Sequence, residues 1–194
     1  MDNAMSFIEK IYCHKATVPL VQRMRLKIEL LQNSKITRLS TALNEVNLYR
    51  GSSPTMVRIN CFVNNTLLTA IVSDGLLVAS PTGSSAYSLS AGGPLVHPLV
   101  PSMILMPICP RSLSFRPAIL PATAEITVEL HPESRSNLQL SIDGSSPIDV
   151  PPDARIRITQ SPHPLPVICR EDATLDWISS INSLLAWNLH LPDK

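Results

Sequence analysis

The residues best suited to chemistry lie in one stretch, Ser73 to Pro94, which reads SDGLLVASPTGSSAYSLSAGGP. An Asp-Gly pair opens it, an apolar run (Leu76, Leu77, Val78, Ala79) follows, and Ser80-Pro81 breaks the run. Glycine and hydroxyl residues come next, ending at Gly92-Gly93-Pro94. Strand, Gly/Ser loop and short helix in that order aim backbone N–H groups and hydroxyls at one point, which suits a nucleotide or a phosphate. The same loop composition also describes a plain solvated turn. Three further places carry polar groups worth testing. Asn44-Glu45 can accept from a ribose diol through the carboxylate and read a base edge through the amide, or simply stabilise a turn. Asp143-Gly144 is either part of a site or a hairpin turn. His97 reads best as a structural histidine. A serine-hydrolase arrangement of Ser84 or Ser85 with His97 and Asp74 lacks the G-x-S-x-G elbow.

The elements that must position these groups are mostly strands. Met24, Leu26, Ile28 and Leu30 alternate with Arg23, Arg25, Lys27 and Glu29, which predicts one strand over 21–30 with a wet face. Residues 32–41 are polar and read as a loop, and Ala42–Leu48 as a short strand. Met56–Val63, an Asn64-Asn65 turn and Thr66–Val72 make a hairpin, since asparagine tolerates the positive φ of a two-residue turn. A short helix is expected over Ala86–Gly92 and a buried strand over Met103–Ile108. Leu113–Ala118, flanked by prolines, should turn a corner. Strands are predicted at Glu125–Leu130, Leu138–Ile142, Ile148–Val150 and Arg155–Thr159, a spacing that describes a sandwich or closed β-layer. One short helix is expected around Met5–Ile11. At the other end Leu175, Ile178, Ile181 and Leu185 recur at helical spacing behind a cap at Asp172 or Thr174, and Trp177 and Trp187 should pack that helix onto something.

Composition limits the function classes. Of 194 residues 44% are hydrophobic and 16% charged, with a net charge of +1, which argues against a disordered tail and a strongly basic nucleic-acid binder. Eighteen prolines spread along the chain favour short strands and turns over long helices. Cys13, Cys61, Cys109 and Cys169 form no CxxC pair, so four buried thiols in a reducing compartment are expected rather than a disulfide framework or zinc ribbon. With no signal peptide and no apolar run of spanning length, the chain reads as soluble, cytoplasmic and free of membrane partners.

Pro81-Thr82-Gly83-Ser84-Ser85-Ala86-Tyr87, with Asp74-Gly75 before it and Gly92-Gly93-Pro94 after it, resembles the nucleotide-binding core of NAD kinases. Asn44-Glu45-Val46 resembles that family's Asn-Glu motif. Pro107-Ile108-Cys109-Pro110 with Ser112 to Pro117 resembles its ICPHSLSFRP segment. The resemblance implies a mainly β (α+β) fold, the β-sandwich-like NAD kinase C-terminal domain with a short internal helix and an amphipathic C-terminal helix. It implies an N-terminal remnant over 1–17, an NAD-binding domain over 18–170, and a helix and tail over 171–194. It implies that Asn44 and Glu45 contact the adenosine half of NAD and that Asp74 holds a nucleoside ring. It also implies that Thr82, Ser85, Ala86, Tyr87 and Ser90 line the pocket, that Pro107 and Ile108 wall a second nucleoside site, and that Asp143 matches a family Asp-Gly. Ser85 stands where threonine is usual and keeps the hydroxyl.

Such enzymes phosphorylate the adenosine 2′-hydroxyl of NAD to give NADP, with ATP and a divalent cation (magnesium) implied by the family alone. Their catalytic GGDG motif lies in an N-terminal domain. This chain contains no GGDG, and its only aspartate before Asn44 is Asp2. The expectation is therefore a dinucleotide-binding half, inactive alone, that is a homo-oligomer or meets a partner chain supplying the other domain. The alternative is a non-catalytic NAD kinase-like binding or oligomerisation module.

Overall fold

Strands with alternating and with continuous apolar character build two stacked antiparallel sheets. The computed structural model describes residues 8, 9, 12, 19–170 and 172–186. The first six-stranded sheet runs, in spatial order, β3 (Lys35–Ala42), β2 (Leu26–Gln32), β13 (Arg155–Gln160), β10 (Ile126–Leu130), β5 (Val57–Val63), β6 (Thr66–Ser73). The second runs β12 (Ile148–Val150), β11 (Leu138–Ile142), β4 (Glu45–Tyr49), β7 (Gly75–Ala79), β8 (Ser102–Ile108), β9 (Ala118–Pro121). A separate pair joins β1 (Leu20–Arg23) to β14 (Leu165–Ile168). The mainly β, sandwich-like architecture expected from the sequence is the one observed.

Register explains the core. Ile126 lies opposite Ile158, which lies opposite Ile28, so one face of the first sheet is a ladder of branched side chains. Leu76 and Val78 of β7, Met103 and Leu105 of β8, and Val46 and Leu48 of β4 meet that face from the second sheet in one core cluster. Each such side chain contributes about 1.5–3 kcal/mol on burial. Cys61 lies in this core, where burial pushes its thiol up to about 12.

The chain divides into two compact units, one spanning Arg23–Leu165 and the other formed by residues up to Gln22 and from Pro166 onward. In the first unit, α1 (Tyr87–Ser90) follows β7 and a 3-10 turn at Thr82–Ser85, so the expected helix over 86–92 is shorter than its sequence range. In the second unit, α2 (Ala173–Leu185) is capped by Asp172, whose side chain accepts from the Thr174 N–H at 2.7 Å and the Leu175 N–H at 3.3 Å. On α2, Ala173 and Ile181 are buried while Leu175, Ile178 and Leu185 are exposed. Among the described residues no helix is long and apolar enough to cross a membrane.

Several expectations need correction. The strand predicted over 21–30 is two strands, broken at Met24-Arg25 and belonging to different sheets. Its wet face is not wet throughout: Glu29 is 6% exposed and pairs with Lys27 at 2.6 Å and Arg157 at 2.8 Å. Residues 32–41 are not a loop but close a hairpin through Asn33 and Ser34, both at positive φ, into the edge strand β3. An edge strand exposed along most of its length has no sustained apolar alternation to reveal it. Strands β9 and β14 also escaped the sequence reading, being four residues long and carrying a proline each. Cys109 is exposed, so the expectation of four buried thiols fails there. Cys13, Trp187 and most of the helix expected around Met5–Ile11 lie outside the described residues, Ile8 and Glu9 being helical.

Candidate functional site

Everything at the site depends on β7. Its five residues are all buried, and it ends where Ser80-Pro81 leaves the sheet. The chain then turns back over the second sheet, burying Ala79 and Ile104 beneath Val96. Ser84 fixes that return: its hydroxyl donates to the Pro81 and Val96 carbonyls at 2.7 and 3.1 Å and accepts from the Val96 N–H at 3.0 Å. Ser88 sits buried against the Met106 sulfur at 3.5 Å. Ser84 and Ser88 are therefore structural, and the hydroxyls left facing outward are those of Ser85 and Ser90, beside the exposed Tyr87 ring.

Asn44 and Glu45 meet this loop directly. The Ser80 N–H donates to the Asn44 carbonyl at 2.8 Å. The Gly83 N–H donates to the Ser80 hydroxyl at 3.2 Å. A Cβ added to Gly83 would collide with the Asn44 carbonyl, so only glycine lets the loop come this close. Asp143 closes the corner from a distant part of the chain. Its carboxylate accepts three successive backbone N–H groups, from Leu43 at 2.7 Å, Asn44 at 2.8 Å and Glu45 at 3.0 Å. Its own N–H donates to the Glu45 carbonyl at 3.0 Å. The Asp-Gly pair is thus both a turn, with Asp143 at φ +47° and Gly144 at φ +70°, and the clamp that shapes Asn44-Glu45.

Two polar atoms at this corner are buried without a partner among the described residues: Glu45 Oε2 and Thr82 Oγ1. Burial pushes the Glu45 carboxyl above its ordinary value, and the nearby Asp143 charge adds to the rise. A buried orphan acceptor costs free energy until a donor reaches it. Hydroxyls or amino groups of a ligand would supply such donors. Asn47, two positions along the same strand face, carries a third orphan, its Oδ1. Sequence reasoning missed it, as it missed Ser80; neither has a spacing that marks it.

The structure does not bring all the predicted residues to one place. Asp74 precedes β7, so about 16 Å of strand at roughly 3.3 Å per residue separates it from the Ser80 turn. There its carboxylate accepts from Arg50 Nε at 2.7 Å, and its N–H donates to the Ile108 carbonyl at 3.0 Å. Pro107 and Ile108, opposite Leu76 and Gly75 in register, belong to this same end. Asn44, Glu45, Thr82, Ser85, Ala86, Tyr87, Ser90 and Asp143 belong to the other. The separation also disposes of the serine-hydrolase arrangement, because Ser84 is buried and Asp74 is committed to Arg50 far from it. His97 Nδ1 accepts from the Leu99 N–H at 3.2 Å, as a structural histidine does. Among the described residues no group of three or more His, Cys, Asp or Glu side chains is arranged to hold a metal ion.

Comparison with known proteins bears on this geometry. Residues 43–169 match the family described as the ATP-NAD kinase C-terminal domain. The chain is 42% identical over 179 residues to the chloroplastic NAD kinase 2 of Arabidopsis thaliana, covering 91% of this chain and 18% of that protein. It is 45% identical over 167 residues to the mitochondrial NADH kinase pos5 of Schizosaccharomyces pombe, covering 85% of this chain and 43% of that one. A crystal structure of yeast NADH kinase complexed with NADH superposes with a TM-score of 0.85 at 34% identity, covering 100% of this chain and 55% of that chain. The chain thus spans less than half the length of the Arabidopsis and S. pombe relatives it matches. Its three sequence blocks, its sandwich and the family match over residues 43–169 agree, and the chain belongs to the NAD kinase family, of which it carries the C-terminal domain.

Proposed function

We propose that this chain forms the dinucleotide-binding part of an NAD kinase-type phosphotransferase, which moves a phosphoryl group from ATP to the 2′-hydroxyl of the adenosine ribose of NAD. The observation that carries the reading is the corner at Asn44-Glu45. Asp143 holds it, the Gly83 turn presses against it, and it presents buried unpartnered oxygens on Glu45 and Thr82. A ribose diol donating to Glu45 would satisfy the orphan acceptor, Asn44 would read the base edge, and the outward hydroxyls with the Tyr87 face would hold the rest. The NADH present in the yeast relative's crystal structure supports this assignment.

Asp74, Pro107 and Ile108 are too far along β7 to serve the same nucleoside, so we assign them to a second one. Homo-oligomerisation would let one copy's Asp74 end complete another copy's cradle. The Asp74 carboxylate, already held by Arg50, would accept from an amino or carboxamide N–H. Residues that activate the 2′-hydroxyl are assigned outside this chain, in an N-terminal domain of the same protein or of a partner. ATP and magnesium would enter with that domain. The buried free thiols of Cys61 and Cys169 suit a reducing compartment such as the cytoplasm.

Calorimetry of the purified chain with NAD and NADH tests the reading. Saturable binding that is lost in Asn44→Ala supports it, and no heat up to millimolar ligand sinks it. Incubation with NAD and ATP should give no NADP; formation of NADP that copurifies with the chain would overturn the assignment of transfer to another domain.

A further inference from the structure

At the Asp74 end of the sandwich, three loops converge on a cleft unrelated to the Asn44-Glu45 corner. Its volume is about 760 Å³, and it is lined by Thr55, Met56, Arg58, Val72, Arg111, Glu133 and Arg135. Three arginines against one glutamate leave a positive surplus. On a chain whose net charge is only +1, that is a local concentration of charge rather than the average of the surface. Glu133 is taken up by a short ion pair with Arg58. Arg111 and Arg135 have neither an ion-pair nor a side-chain hydrogen-bond partner among the described residues.

A second observation concerns one of the lining arginines. Arg58, which lines the cleft with a partly exposed side chain, has an Nε that is buried without an acceptor among the described residues. A buried guanidinium N–H without a partner costs as the Glu45 orphan does, but with the opposite demand: it asks for an oxygen acceptor. Thr55 also lines the cleft, its hydroxyl and those of Ser53 and Ser136 lie within 2.5–3.0 Å of one another, and Arg135 lines the smaller cleft that contains Ser53 and Ser136 as well. Met56, 39% exposed, and Val72 supply an apolar wall on which a planar body can rest.

We infer that this cleft is a second anion site that recognises an oligophosphate group through Arg58, Arg111 and Arg135. Guanidinium forks match phosphate oxygens bidentately, and the cleft's size falls within the range of about 300–1,000 Å³ typical of small-molecule sites. The inference does not rest on the dinucleotide reading, since none of its residues shapes the Asn44-Glu45 corner. The phosphate could belong to a free oligophosphate or to a nucleotide laid on Met56 and Val72, and the test separates the two.

The experiment titrates the full chain with inorganic pyrophosphate and with ADP by calorimetry, comparing wild type, the double variant Arg111→Ala/Arg135→Ala, and Asn44→Ala. Pyrophosphate should bind wild type with a Kd below about 1 mM. It should bind the double variant at least about tenfold more weakly, bind Asn44→Ala unchanged, and weaken as salt rises. ADP binding tighter than pyrophosphate, and lost in the double variant, identifies a nucleotide site; equal affinities identify an oligophosphate site. Both arginines are exposed, so the double variant should keep the wild-type melting temperature; Arg58→Lys provides a second variant that keeps charge but not the fork. The inference is overturned if wild type binds neither probe, if the double variant binds both as wild type does, or if Asn44→Ala abolishes pyrophosphate binding.

Discussion

On its outer face the first sheet carries Lys27, Glu29 and Arg157 in ion pairs, with Arg155 and Glu129 paired at 2.6 Å beside them. The corresponding face of β7 and β8 in the second sheet is apolar, with Ala79, Ile104 and Met106 against the chain that leaves β7. Both sheets contribute to one core, so the difference lies entirely in what their second faces do. On the first sheet Lys27, Arg155 and Arg157 remain within reach of solvent, and the buried Glu29 is held by Lys27 and Arg157. Covering the second sheet forces the Ser80–Val96 segment across it, and the turn required to start that crossing brings Gly83 onto Asn44. The candidate site is thus a by-product of how the second sheet is closed.

That contrast can be broken by substitution, and the largest effect should come at the closure. Gly83→Ala should destabilise the chain by about 3 kcal/mol and remove NAD binding, read by urea denaturation and calorimetry. Wild-type stability would refute the close approach to Asn44. Next, Asp143→Ala leaves three backbone N–H groups without their acceptor. A loss of about 2–3 kcal/mol and at least tenfold weaker dinucleotide binding are expected; loss of stability without loss of binding would separate the clamp from the site.

On the ion-paired face the effect should be smaller. Glu29→Gln should cost about 1–2 kcal/mol at neutral pH, less than a fully buried pair because Arg157 and Lys27 remain partly exposed. Burial alone would raise the Glu29 carboxyl, but Lys27 and Arg157 outweigh it and hold it below its ordinary 4.5. The advantage of wild type over the variant is therefore present above 4.5 and lost as pH falls through the lowered folded value. A wild-type advantage that grows on acidification would contradict the assignment.

The smallest effect, and the one of opposite sign, belongs to Glu45. Its folded carboxyl is raised above 4.5, so ionising it at neutral pH works against folding. Glu45→Gln should be at least as stable as wild type at neutral pH, with the gap closing as pH falls below the raised value, while dinucleotide binding weakens. Thermal melts across pH 4–8 read the first effect and calorimetry the second. A variant less stable at neutral pH would place a partner on Glu45 Oε2.

Much of this was legible in the residues. The hairpin through Asn64 and Asn65 follows from side chains that tolerate positive φ, observed at 49° and 62°. Strand β7 was readable as a continuous apolar run because both its faces are covered. The edge strand β3 was not, because most of it is exposed, only Leu39 and Ala42 reach the core, and polarity along it carries no period. The break between β1 and β2 was hidden for the opposite reason: alternation persists through Met24-Arg25 although the chain changes sheets there. At the site, residue types near Ser80–Tyr87 announced polar binding, but the separation of Asp74 from Asn44 by the length of a strand did not show in their order.

By itself the sequence determined the class of the fold, most of the strands and which stretches carry the polar groups of the candidate site. Those properties depend on neighbours a few positions away, through backbone sterics and the period of side-chain burial. Only the tertiary structure decided that Asp143 clamps Asn44-Glu45 from about a hundred residues away, that Ser84 is a bracket rather than a ligand, and that Arg58, Arg111 and Arg135 share a cleft. Contacts between residues so distant in the chain arise from strand pairing and sheet stacking, which no local pattern of residues encodes.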